Sequence, residues 1–236
     1  MIARSRSKQI QTCYFRAWLR WHSRFFGELY ATSYANASFS LATDSITCQH
    51  VLLIRRLISA VTKYTNSIVD VVAYSMGSPT SRKAILGGPC VDMAKDLGLP
   101  LTQLVHTFVA VAGANYGAKY LCTVPTISAC NNVTGLQCHS QFLTDINKGH
   151  AYEGSKIFTI YSSEDEIVGY RVCEEDYLAS SIAGETQAFE KHLLSHVATM
   201  YATVELQHNL TSSDQQEGDK QLMENFADLV FRLKVG

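Results

Sequence analysis

Three short apolar runs constrain this chain more than anything else in it: "SIVDVVA" (67–73), "LVHTFVAVAG" (104–113) and "KIFTIYS" (156–162). Each reads as a buried strand, and the segments around them carry helical patterns. Val51, Ile54, Ile58 and Val61 recur at steps of three and four, which gives one apolar helix face with Arg55, Arg56 and Lys63 off it. A second helix runs from Met76 to Leu86, with Gly87 and Gly88 to end it. "ELYATSYA" (28–35) and "QAFEKHLL" (187–194) are further strand candidates. A last helix puts Leu222, Phe226, Leu229 and Leu233 on one face. Apolar strands alternating with helices predict an α/β fold, a mostly parallel sheet flanked by helices on both faces. Residues 114–155 read as a long loop holding Cys122, Cys130 and Cys138, where disulfides would restrain the chain.

At 236 residues and 47% hydrophobic, the chain can bury one sizeable core. No linker-like stretch or fixed-period repeat divides it, so residues 28–236 are expected to form one domain behind an atypical basic segment, 1–27. That segment carries Arg4, Arg6, Lys8, Arg16, Arg20 and Arg24, with no acidic residue before Glu28. A net charge of -1 argues against nucleic acid as a partner. No run reaches the roughly 20 apolar residues of a membrane span, so a soluble monomer is expected, with at most transient contact with a lipid interface.

Seven cysteines, six of them beyond Cys13, favour disulfides and an oxidising, extracellular compartment, with the export signal absent from the sequence. N-x-S/T sequons at Asn36, Asn132 and Asn209 are compatible with a secretory route. No C-x-x-C pair occurs, so no metal is expected.

"VDVVAYSMGSPTSRKAILGG" (69–88) runs from strand directly into helix, with Ser75 at the joint. A nucleophile on such a turn needs a strained backbone and small residues two positions to either side, which Ala73 and Gly77 supply. The helix behind it aims the Met76 amide at any oxyanion formed there. The plainer reading of Ser75 is a helix N-cap.

A serine needs a base and an acid to orient that base, and in this fold they follow in the order Ser, Asp, His. "IYSSEDEIVGY" puts Asp165 just past a strand, flanked by Glu164 and Glu166, where an acidic solvated loop is the simple alternative. His196 follows the last strand candidate, with His192 and His208 as rivals. As an i, i+4 pair on a helix, His192 and His196 could bind metal, but no third ligand accompanies them.

Taken in order, "ELYATSY", the block around Ser75, "FVAVAGANYG", "CNNVTGLQCHSQFLTDIN", "YEGSKIFTIYSSEDEIVGYRVC" and the final histidine segment resemble the class 2 lipases, small esterases and lipases of α/β-hydrolase fold. The cysteine-bearing blocks are more similar to the nematode branch than to the bacterial one. The resemblance implies a hydrolase of carboxylic esters, including lipid esters, working without cofactor. It makes Ser75 the nucleophile, Asp165 the triad acid, His196 the base and Met76 an oxyanion donor. Acyltransfer or thioester hydrolysis would use the same constellation. For the cysteines, a Cys48–Cys90 bridge is expected, with Cys122, Cys130, Cys138 and Cys173 forming two more in any of three pairings and Cys13 left free.

One departure from the family stands out. Its members begin with an apolar strand ending in His-Gly, whose following loop supplies the second oxyanion amide. This chain has no His-Gly, and "WHSRFFG" (21–27) stands where the next helix is expected. The strand is therefore expected to be missing and the fold truncated at its N-terminus. Loss of one oxyanion donor costs about 3 kcal/mol. A catalytically impaired relative, acting in lipid binding or interaction, is the alternative reading.

Overall fold

The computed structural model of the chain describes residues 8–12, 29–32, 44–124 and 126–212. In chain order the strands are β1 (Lys8–Thr12), β2 (Leu29–Thr32), β3 (Val69–Tyr74), β4 (Val105–Val111), β5 (Lys156–Ser162), β6 (Arg171–Val172), β7 (Tyr177–Leu178) and β8 (Gln187–Lys191). Six of them form one sheet in the order β2-β1-β3-β4-β5-β8, every neighbouring pair parallel, and β6 and β7 make a separate antiparallel ribbon. The helices are α1 (Cys48–Thr65), α2 (Gly77–Leu86), α3 (Gln141–Ile146) and α4 (His196–Ala202), and residues 204–212 are again helical.

Alternation along the strands divides the core in two. Val69, Val71 and Ala73 of β3, Phe108 and Ala110 of β4 and Ile157 of β5 pack with Val51, Ile54, Ile58 and Val61 of α1, Ile85 of α2 and Phe142 of α3. Val72, Tyr74, Val109, Val111, Phe158 and Ile160 face the other way, onto Met200 of α4 and Leu206 and Leu210 beyond it. Both faces of the sheet are thus covered, so its strands read as apolar runs rather than alternating ones. Thr47 caps α1 by accepting the His50 amide, and Asn66, at φ 49°, closes it in the left-handed region.

Several boundaries differ from the sequence reading. β3 begins at Val69 rather than Ser67, and Ile68 before it is exposed. The stretch read as loop, 114–155, contains α3, capped by the Ser140 side chain and too short to show a helical period. The largest correction concerns the N-terminus. Where the His-Gly strand was expected to be missing, a strand, β1, pairs on one side with β2 and on the other with β3, although no His-Gly follows it in the sequence. "KQIQT" has one apolar residue, so its strand character comes from two backbone ladders rather than from a hydrophobic pattern. The helix expected over 222–233 lies outside the described residues.

Six cysteines are paired at disulfide distance: Cys48 with Cys90, Cys122 with Cys130 and Cys138 with Cys173, at Cα separations of 5.8, 5.3 and 5.4 Å. The first ties the start of α1 to the loop after α2, as expected. The other two select one of the three pairings left open, and both hold the 114–155 segment. Non-reducing peptide mapping should recover these three linked pairs and leave Cys13 as the thiol that alkylates. Six alkylatable thiols in the native protein would overturn both the pairing and the oxidising compartment.

Candidate active site

Ser75 stands between the last residue of β3 and the first turn of α2, with φ at 52°. A non-glycine residue in this left-handed region costs about 1–3 kcal/mol and persists only where its surroundings hold it. Here the Ser75 amide donates to the Val111 carbonyl at 2.9 Å, and the Ser75 carbonyl accepts from Ser78 N at 3.0 Å. Ala73 and Met76 on either side are buried. The Met76 carbonyl accepts from Thr80 N and Thr80 Oγ1.

The helix behind the serine is packed on every side, and its polar residues are buried and partnered. Ser78 Oγ donates to Asn115 Oδ1 at 2.8 Å, and Asn115 Nδ2 donates to the Ser180 carbonyl at 2.9 Å. Arg82 Nε lies 2.7 Å from Glu153 Oε1, both side chains fully buried, and Lys83 Nζ lies 2.6 Å from Asp145. The two ion pairs fix α2, and with it the turn carrying Ser75, to the segment 145–153.

Asp165 and His196 reach Ser75 from two other strand ends, after β5 and after β8. Asp165 is 3% exposed, and its Oδ1 accepts the Ile167 and Val168 amides at 2.9 and 2.8 Å. Its Oδ2 is 2.7 Å from His196 Nδ1, and His196 Nε2 is 2.8 Å from Ser75 Oγ. A carboxylate only accepts, so Nδ1 carries the ring proton and Nε2 is left to accept from the serine hydroxyl. The Tyr74 hydroxyl donates to the His196 carbonyl at 3.2 Å, and the two rings are 5.0 Å apart. The three side chains therefore meet at the C-terminal edge of a parallel sheet, where open α/β sheets bind ligands.

Sequence reasoning missed the two glutamates beside Asp165, which are not simply solvated. Glu166 Oε2 accepts the His196 amide at 2.7 Å, and Glu164 Oε2 accepts the Leu193 amide at 2.8 Å. Hydrogen bonds from Ser163 and from the Leu193 amide hold the Glu164 carboxyl below its usual range. Only their position beside Asp165 could have signalled this, because their partners lie about thirty residues downstream. The rival histidines stand elsewhere: His192 Nδ1 meets Ser163 Oγ at 3.1 Å in the loop before α4, and His208 Nε2 meets Ser212 Oγ at 3.3 Å. His192 and His196 thus share no helix, which removes the i, i+4 metal pair. Cys48, Cys90 and Asp92 cluster closely enough for a metal, but the two cysteines are bonded to each other and offer no thiolate. Residues 13–28, between β1 and β2, lie outside the described residues.

A hydroxyl bonded to a neutral imidazole that a buried carboxylate orients can act as a nucleophile with its own general base. Among known families, the chain matches the model described as lipase (class 2) over residues 5–209. No curated protein sequence matches it significantly. Among solved structures, it is similar to Aspergillus fumigatus lipase B, with a TM-score of 0.58 at 15% identity over 82% of this chain and 48% of the lipase. It is also similar to the metagenomic carboxyl esterase MGS0156, with a TM-score of 0.50 at 10% identity over 81% of this chain and 64% of the esterase. The ydeN gene product of B. subtilis gives a TM-score of 0.48 at 13% identity over 89% of this chain and 98% of its own length. At such identities the first two likenesses speak for the fold, which is that of an α/β-hydrolase. The chain spans about half the length of the Aspergillus lipase.

Proposed function

This chain belongs to the class 2 lipase family, and on that premise we propose that it is a serine ester hydrolase acting on acyl esters through Ser75, His196 and Asp165. The observation that carries the reading is the unbroken hydrogen-bond chain from Ser75 Oγ through the His196 ring to Asp165, at 2.8 and 2.7 Å. Ser75 Oγ attacks the ester carbonyl carbon while its proton passes to His196 Nε2. Asp165 keeps the Nδ1 proton in place and stabilises the imidazolium. The Met76 amide, at the start of α2, meets the oxyanion. Collapse of the tetrahedral intermediate expels the alcohol, which takes the proton from Nε2, and the acyl group stays on Ser75. Water then repeats the sequence, with His196 as base, and releases the acid.

The reading of an impaired, lipid-binding relative rested on a missing His-Gly strand and its oxyanion amide; β1 occupies that strand's place in the sheet, which speaks against it, although the sequence has no His-Gly. Three cysteine pairs, and exposed Asn132 and Asn209 in their sequons, support a secreted protein, and the bridges suit the cysteine-bearing nematode-type branch. No helix among the described residues is long and apolar enough to cross a membrane. The enzyme is proposed to meet lipid or other ester substrates as a monomer.

A fluorophosphonate probe tests the nucleophile directly, because it reacts only with a serine whose base is in place. Peptide mapping of the labelled protein should find the adduct on Ser75. An unlabelled protein, or a label on another serine, would sink the assignment.

A further inference from the structure

All three carboxylates of the Glu164–Asp165–Glu166 run face the segment that carries the histidine. Asp165 takes the ring of His196 at 2.7 Å, and Glu166 takes the main-chain N–H of the same residue, also at 2.7 Å. Glu164 takes the N–H of Leu193, three residues earlier, where φ is 59° and the side chain is 89% exposed. The acidic loop is itself fixed: Glu164 N donates to Ser162 Oγ, Ser163 N to the Lys191 carbonyl, and Ile167 N and Val168 N to Asp165 Oδ1.

We infer that Glu166, supported by Glu164, is a positioning residue for the reaction, anchoring the backbone of His196 so that one imidazole reaches both Asp165 and Ser75. The inference rests on the ester-hydrolase reading given above. An imidazole has two side-chain torsions, so its Nε2 is no better placed than the Cα from which it hangs. Displacements of about 1 Å at a reacting group cost on the order of a hundredfold in rate. Asp165 fixes the ring alone. Glu166, its immediate neighbour, holds the main chain at the N–H, as the Tyr74 hydroxyl does at the carbonyl, so the ring and the N–H are referred to the same rigid loop. The charged and titratable groups around His196 are Asp165 and Glu166 from this loop and the Tyr74 phenol from β3, with Glu164 and His192 flanking the segment.

The test compares Glu166→Ala with Glu166→Gln, whose amide oxygen still accepts the His196 N–H. Losing a hydrogen bond to a charged acceptor should lower kcat about ten- to a hundredfold in the alanine variant with KM unchanged. The glutamine variant should recover near-normal kcat. A glutamine variant as impaired as the alanine one would assign the effect to charge and overturn the anchor. So would an alanine variant with normal kcat, or one whose loss disappears on cooling below a lowered Tm. A second readout does not need turnover: the downfield proton resonance of His196 Nδ1–H should be present in the wild type and Glu166→Gln and lost in Glu166→Ala. If the wild-type protein hydrolyses no ester, the functional reading fails, and this resonance still decides the anchor.

Discussion

Ser75→Ala is expected to lower kcat for p-nitrophenyl ester hydrolysis by roughly 10⁴- to 10⁶-fold, with the folded structure intact. The loss is large because the hydroxyl is the only group that forms the covalent bond; His196 and Asp165 serve it and cannot replace it. Stability should hardly change, because alanine keeps the Cβ, the backbone contacts with Val111 and Ser78 and the left-handed φ of 52°. That φ gives the experiment a second arm. Ser75→Gly should be just as inactive but more stable, by about 1 kcal/mol or somewhat more, since glycine carries no penalty in that region. The pair of variants separates two contributions of one residue, its chemistry and its strain. Thermal melts and steady-state rates on both would suffice. Undiminished turnover in Ser75→Ala would remove the serine from the mechanism. A glycine variant no more stable than the alanine one would mean that the turn stores no strain.

What could be read from the sequence follows the range of the interactions. The strands ending at Tyr74, Val111 and Ser162 were legible because strands buried on both faces stay apolar residue after residue. The four aliphatic residues of α1 repeat for long enough to give a period, whereas Phe142, Leu143 and Ile146 of α3 do not. β1 was illegible for a different reason, since a polar pentapeptide becomes a strand only when neighbours on both sides take its backbone hydrogen bonds. The same holds at the site. Ser75 announces itself through local small residues and a strand-to-helix change, and Asp165 and His196 through their position after strands. That Glu164 and Glu166 hold backbone amides of the histidine segment has no local mark at all, because an acidic tripeptide looks the same whether it faces water or a peptide N–H. Cysteine pairing has the same character: the resemblance suggests one bridge, and the other two need the fold to bring Cys122 to Cys130 and Cys138 to Cys173.

Arg82→Met is expected to be the most destabilising single substitution on the nucleophile helix, at about 3–5 kcal/mol, or roughly 6–20 °C in Tm for a chain of this size. Arg82 and Glu153 are both fully buried, and the guanidinium also donates to Asn147 Oδ1 at 2.9 Å and to the Ile146 carbonyl at 3.2 Å. Burial opposes the charge, and the neighbouring Tyr152 and Glu153 outweigh it, so the guanidinium is held above its ordinary range. Removing the arginine would leave the buried Glu153 carboxylate without its counter-charge, and one of its oxygens already has no hydrogen-bond partner among the described residues. The cost therefore comes mainly from the partner left behind rather than from the pair itself. It follows that Arg82→Met combined with Glu153→Leu should regain most of the lost stability, because two well-packed apolar side chains need no counter-charge. A single variant with wild-type Tm would mean that Glu153 is neutral or reaches water. A double variant as unstable as the single would place the loss in the bonds to Ile146 and Asn147, and would make them, rather than the ion pair, what fastens the Ser75 helix to the segment before β5.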